Sequence, residues 1–140
     1  MDDLTAWLRH QLDDDEQAAR ESANEMSGEW QAEHPPGSRW KVMDALGYSV
    51  VEYTDLDSEP WFATPHIARH DPARVLAEVD AKRRILAEHE HFPTAGGFGC
   101  RICAYNGRDG VIEPEGWCAT VRLLALPYAD RPGYRDEWRP

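Results

Sequence analysis

Three cysteines and six histidines carry most of the distinctive chemistry of this 140-residue chain. Cys100-Arg101-Ile102-Cys103 is a C-x2-C knuckle, and Cys118 follows after fourteen intervening residues. Two thiolates at this spacing reach one side of a tight turn and can chelate a single tetrahedral ion. The Asn106-Gly107 pair is a strong turn signal and can fold the chain back to deliver the third sulfur. A structural zinc takes four ligands, and the sequence holds no fourth cysteine. His89 and His91 lie upstream, with ten and eight residues between them and Cys100. His89 falls at the end of a predicted helix, and the glycine-bearing linker Phe92–Gly99 is long enough to return Cys100 to it. The expected site is therefore Cys3His, built from Cys100, Cys103, Cys118 and His89. His91 is the next choice for the fourth ligand, and His66 or His70 can serve if the helix start lies nearby. Three thiolates plus a water make a poor Lewis acid, so the expected cofactor is a structural Zn2+ with no catalytic residues. The competing readings are three small thiols filling a core, and a redox C-x-x-C. The latter needs a thioredoxin-like βαβ setting that the chain does not show.

Other constellations are weaker. His66-x3-His70 puts two imidazoles on one helical face, but Ile67 stands where a metalloprotease has its glutamate, so capping or packing is expected. His10-x3-Asp14 shares a face and could join that pair in a second metal site only in principle. Asp55-Leu-Asp57-Ser-Glu59-Pro60 imitates the start of a calcium loop without its glycine or closing glutamate. Gly96-Gly97-Phe98-Gly99 lacks the lysine and the helix of a phosphate loop, and no serine sits in a nucleophile elbow.

The elements that must hold the site follow from periodicity and punctuation. Residues 3–32 read as one long helix, capped by Asp2 or Asp3. Its apolar positions Leu4, Trp7, Leu8, Leu12, Ala19, Ala23, Met26 and Trp30 step mostly by three or four. The acidic run Asp13–Glu16 breaks the stripe, and Ser27-Gly28 is a possible earlier end. Trp40–Val42 and Tyr48–Tyr53 predict a hairpin over 39–54, followed by an acidic loop over 54–60. Helix is expected over 65–89. Thr64-Pro65 starts a short piece with threonine as cap, and Asp71-Pro72 restarts it with Val75, Leu76, Val79 and Leu86 inward. A metal-binding segment and last helix occupy 89–128, with Val121, Leu124, Ala125 and Tyr128 at helical spacing. The tail 129–140 docks through the rings of Tyr134 and Trp138. Length and composition fit one domain, residues 1–140, of α+β class, in which the six tryptophans are core anchors by default.

The net charge of −11 is unevenly spread. Residues 1–33 hold ten acids and two bases, so they carry −8. The one basic cluster, Arg69, Arg74 and Lys82–Arg84, is interleaved with Asp71, Glu78 and Asp80. A nucleic-acid binder shows a basic footprint, so nucleic acid is not an expected partner. No segment approaches the roughly 20 apolar residues of a membrane span. No basic, apolar leader opens the chain, and an odd cysteine count suits a reducing compartment. The expected setting is the cytoplasm and the expected partner another protein. The acidic turn Asp13–Glu16 or the basic face around Arg74 and Lys82–Arg84 is the contact surface to consider.

A family resemblance adds to this. His66-Ile-Ala-Arg-His70-Asp-Pro-Ala-Arg74 through Ile85 resembles the signature of an uncharacterised family of small actinobacterial and actinophage proteins, also found in mobile elements (domain of unknown function 6221). Leu123–Asp130 with Tyr134 and Glu137-Trp138-Arg139-Pro140 resembles a second block, and Leu4–Arg20 a third. Similar members carry a C-x2-C before a further cysteine that opens the last helix, with a histidine often ending the preceding helix. That matches Cys100, Cys103, Cys118 and His89. Ser27 to Pro65 varies in such proteins, so little carries over there. The resemblance implies a metal site but assigns no activity. The expectation is a small zinc-stabilised, non-enzymatic interaction or regulatory protein. An acidic nucleic-acid mimic and a small hydrolase with an unrecognised site are the alternatives.

Overall fold

A computed structural model describes residues 3–52, 61–94, 97–104 and 116–140. Asp2, the acidic loop with its calcium-loop-like Asp55–Glu59, Gly96 and the Asn106-Gly107 turn lie outside the described residues. The chain divides into two compact units, one of residues 1–13 with 80–140 and one of residues 14–79. The fold is of mixed helix and strand, with two small antiparallel sheets.

The first helix, α1, spans Leu4–Ser22. Asp3 caps it by accepting the Thr5 amide at 3.0 Å and the Thr5 hydroxyl. Burial pushes the Asp3 carboxyl up, but the Thr5 hydroxyl and the amides of Ala6 and Thr5 outweigh it and hold the group below its ordinary range. Leu4, Leu8 and Leu12 are completely buried, each contributing about 1.5–3 kcal/mol.

The expected helix over 3–32 is corrected here, because the helix stops at Ser22 and Trp30–Glu33 is a strand, β1. The tail of the expected helix is polar, Glu21-Ser-Ala-Asn-Glu25, and Ser22 turns its hydroxyl onto the Ala18 carbonyl, a competitor of helix propagation. Beyond it, tertiary partners claim the backbone. The Asp44 carboxylate takes the Ser27 amide at 2.7 Å, and Asp71 takes the Trp30 amide at 3.1 Å.

The predicted hairpin is present as β2, Lys41–Asp44, and β3, Ser49–Glu52. Strand β1 joins it in the order β1-β2-β3, with Trp30 opposite Asp44 and Ala32 opposite Val42. Asp44 is the polar anchor of this unit. It is only 2% exposed and also accepts the amides of Leu46 and Tyr48 at 3.0 and 2.7 Å.

A 3-10 turn, Trp61–Ala63, leads into α2, Thr64–Arg69, and then α3, Pro72–Glu88. Ala63 is the cap of α2 and Thr64 lies inside the helix, fully buried, so the expected threonine cap is corrected. Asp71 caps α3 as its position predicts, accepting the Arg74 amide at 2.8 Å. Val79 and Leu86 are buried on α3, while Val75 and Leu76 are half-buried.

Phe92–Gly99, expected as a linker, is largely a second hairpin: β4, His91–Thr94, pairs with β5, Gly97–Cys100. Glycines and Pro93 hide it from propensity reasoning. In a two-stranded ladder both strands are edges, where proline is tolerated. A single helical turn, α4, covers Arg101–Ala104. The last helix, α5, spans Ala119–Ala125 and tightens to a 3-10 turn over Leu126–Tyr128, where Pro127 enters. The tail docks through rings, as expected. Trp7 on α1 meets Tyr134 and Trp138 at 5.5 Å each, and its Nε1 donates to the Pro132 carbonyl. Gly133 between them adopts φ +85°, and a Cβ there falls 3.0 Å from Trp7 Nε1, so only glycine fits.

Candidate metal centre

Four elements of the first unit converge on the cysteines. His89 continues the hydrogen bonding of α3, its amide donating to the Ile85 carbonyl at 3.0 Å. The β4–β5 hairpin then returns the chain, placing His91 opposite Cys100 in the ladder. Cys100 ends β5 and Cys103 lies within α4, one turn on. The chain re-enters at Gly116, whose amide donates to the Phe98 carbonyl at 2.7 Å and whose φ of +92° suits glycine. Cys118 then stands as the cap residue of α5.

The result is a compact donor set. His89 Nδ1 lies 3.5 Å from Cys100 Sγ, 3.2 Å from Cys103 Sγ and 3.8 Å from Cys118 Sγ. All four donor atoms fall within 4.8 Å of one another. Metal bonds of 2.3 Å to sulfur and 2.0–2.1 Å to nitrogen at tetrahedral angles give a sulfur–nitrogen edge of about 3.6 Å. The three observed separations bracket that edge, so the donor set fits one tetrahedral ion. The three cysteines are free thiols with no disulfide. Cys100 and Cys118 are buried, His89 is half-buried and Cys103 is exposed.

The electrostatics point the same way. Burial pushes the Cys118 thiol up to about 12, and the neighbouring Cys100 and Cys103 add to the rise. Burial also acts upward on Cys103, but hydrogen bonds from the Thr120 hydroxyl and from the other two thiols outweigh it and bring this thiol down. Three crowded sulfurs cannot all hold negative charge without a cation between them, and a divalent ion removes that conflict. Thr120 Oγ1 lies 3.5 Å from Cys103 Sγ, placed as an outer partner to this sulfur.

His91, the second choice for the fourth ligand, has another task. Its Nε2 accepts the Cys118 amide at 3.0 Å. Its ring packs edge-on against Trp117 at 4.8 Å and Phe98 at 5.9 Å, and Phe98 meets Trp117 at 4.7 Å. Burial holds this imidazole below the usual histidine range, consistent with an accepting, neutral ring. The aromatic cluster thus fixes the backbone that presents Cys118. Its signal was available in the sequence as Trp117 next to Cys118, and its role needed the β4–β5 pairing.

His66 and His70 lie in and beside α2, with rings 4.3 Å apart and His70 Nδ1 2.8 Å from the His66 carbonyl. They, His10 and Asp14 are not in the donor set, which is the only group of its kind among the described residues. The charged faces singled out in the sequence carry local partners. Asp13 meets Arg83 at 2.5 Å, Glu16 meets Arg20 at 2.6 Å, Arg74 meets Glu78 at 2.7 Å and Arg84 meets Asp80 at 2.8 Å. Lys82 reaches the Tyr128 hydroxyl at 3.1 Å. Because the helix ends at Ser22, the acids of residues 1–33 do not form one continuous helical face. Among the described residues no helix is long and apolar enough to cross a membrane.

One comparison with known proteins identifies a relationship: a family described as Family of unknown function (DUF6221) matches residues 1–140. No curated protein and no solved structure matches the chain.

Proposed function

This chain belongs to that family of unknown function, and from that premise we propose that it is a zinc-stabilised interaction protein without catalytic activity. The observation that carries the reading is the convergence of His89, Cys100, Cys103 and Cys118 within 4.8 Å. Zinc is the metal we assign, because thiolate-rich tetrahedral sets suit it and exclude the hard cations. Four protein donors fill a tetrahedral shell and leave no position for a reacting water, which supports a structural over a catalytic ion. The ion ties α3, β5, α4 and α5 together and so contributes directly to folding. A partner protein is supported by two large apolar side chains left in solvent: Ile102, between two of the donors, is 58% exposed, and Leu123 on α5 is 55% exposed. A regulatory role in a phage-related or mobile-element context is the setting we propose from the sequence resemblance, and the cytoplasm from the cysteine usage.

Elemental analysis of protein purified without added metal, alongside Cys118→Ser, tests the centre. About one zinc per chain is expected, lost in the variant together with several kcal/mol of stability. A folded, metal-free native chain overturns the reading.

A further inference from the structure

We propose that the metal centre is a peroxide-responsive switch, in which oxidation joins Cys103 to Cys100 as a disulfide and releases the ion. This rests on the metal reading above. Its own ground is the unequal exposure of the three cysteine residues. Cys100 is 0% and Cys118 2% exposed, whereas Cys103 is exposed to solvent. A small oxidant therefore meets Cys103 first, at a sulfur the ion keeps as thiolate, the nucleophilic form.

A resolving thiol is already in place. The three sulfurs and the imidazole nitrogen lie within 4.8 Å of one another. Cys100 and Cys103 are three positions apart, at the end of β5 and within α4, so a disulfide between them closes only a short loop. A bond between either sulfur and Cys118 instead joins segments fifteen or more residues apart in sequence.

The chemistry balances with hydrogen peroxide as the oxidant. The Cys103 thiolate attacks one peroxide oxygen, the O–O bond breaks, and the departing hydroxide takes a proton to leave as water, giving the sulfenic acid. The Cys100 thiolate then attacks the Cys103 sulfur, the S–O bond breaks, and the hydroxyl leaves with a proton as a second water. The two sulfurs are oxidised by two electrons in total and the peroxide is reduced by two. With two donors consumed, His89 and Cys118 alone do not retain the ion. It leaves as the dication, and the Cys118 thiolate takes up a proton from solvent.

Zinc-loaded full-length protein is treated with hydrogen peroxide in the presence of a chromogenic zinc chelator, followed by thiol titration and mass-spectrometric disulfide mapping. Loss of the bound zinc with loss of two of the three thiols, mapped to Cys100–Cys103 and reversed by a dithiol plus zinc, is the expected result. Retention of zinc by the native chain, or a bond mapped elsewhere, overturns the switch while leaving the metal centre intact. A chain that never held zinc overturns the metal reading, and the switch with it.

Discussion

Two histidines two residues apart, His89 and His91, have different jobs because their ring nitrogens meet different groups. His89 Nδ1 faces three sulfurs, whereas His91 Nε2 faces a backbone amide. Paired substitutions separate them. His89→Ala is expected to abolish zinc binding. His91→Phe is expected to retain zinc but to lower stability by roughly 1–3 kcal/mol, because the Cys118 amide loses its acceptor. Metal analysis and urea unfolding of both variants read the difference. Asp44 is the corresponding residue of the other unit. Burial acts to raise its carboxyl, but the amides of Ser27, Tyr48, Leu46 and Gly47 prevail and hold it below its ordinary 3.8. Its stabilisation is therefore complete above the ordinary carboxylate value and is lost as pH falls through the depressed folded value. Thermal melts between about pH 5 and pH 2 are expected to fall more steeply for the native chain than for Asp44→Asn, which is less stable at neutral pH.

At the scale of elements, caps and pairings decide where the helices stop. Asp71 serves two elements at once, holding the first turn of α3 through Arg74 and the start of β1 through Trp30. Asp71→Ala is expected to cost roughly 1–2 kcal/mol in a denaturant titration, with faster amide exchange at Trp30 as the marker of the second role. The same contact helps explain why no helix continues through residues 23–32. Met26 and Trp30 continue the helical stripe, but the Ser27 and Trp30 amides are claimed by Asp44 and Asp71, far along the chain. The second hairpin shows the reverse effect. Phe92–Gly99 lacks strand propensity, and β4 and β5 form nonetheless, next to the converging donor set.

At the scale of the whole molecule, metal removal is expected to act unequally. The donors all belong to the unit of residues 1–13 and 80–140. Chelation is therefore expected to raise hydrogen exchange across His91–Cys100 and Ala119–Tyr128 well before β1–β3. Zinc affinity is expected to weaken as pH falls, since the Cys118 proton, held with a value of about 12 in the metal-free centre, must be displaced on binding. Isothermal titration in buffers of different ionisation enthalpy reads the proton release.

The donor residues and the central helix were legible in the sequence because they depend on local chemistry. The C-x2-C spacing is set by one turn of backbone, the Asp71-Pro72 start by capping, and the hairpin of 41–52 by β-branched and aromatic residues. The choice of His89 over His91 was favoured there but not settled, since both lie close to Cys100 in sequence. Tertiary structure brings His89 rather than His91 next to the three sulfurs, through the β4–β5 register that turns His91 to the Cys118 amide. It also decided the fate of residues 23–33, where buried Asp44 and capping Asp71 outcompete helix propagation. Helix preference is worth tenths of a kcal/mol per residue, and a charge-assisted hydrogen bond to a buried carboxylate is worth more.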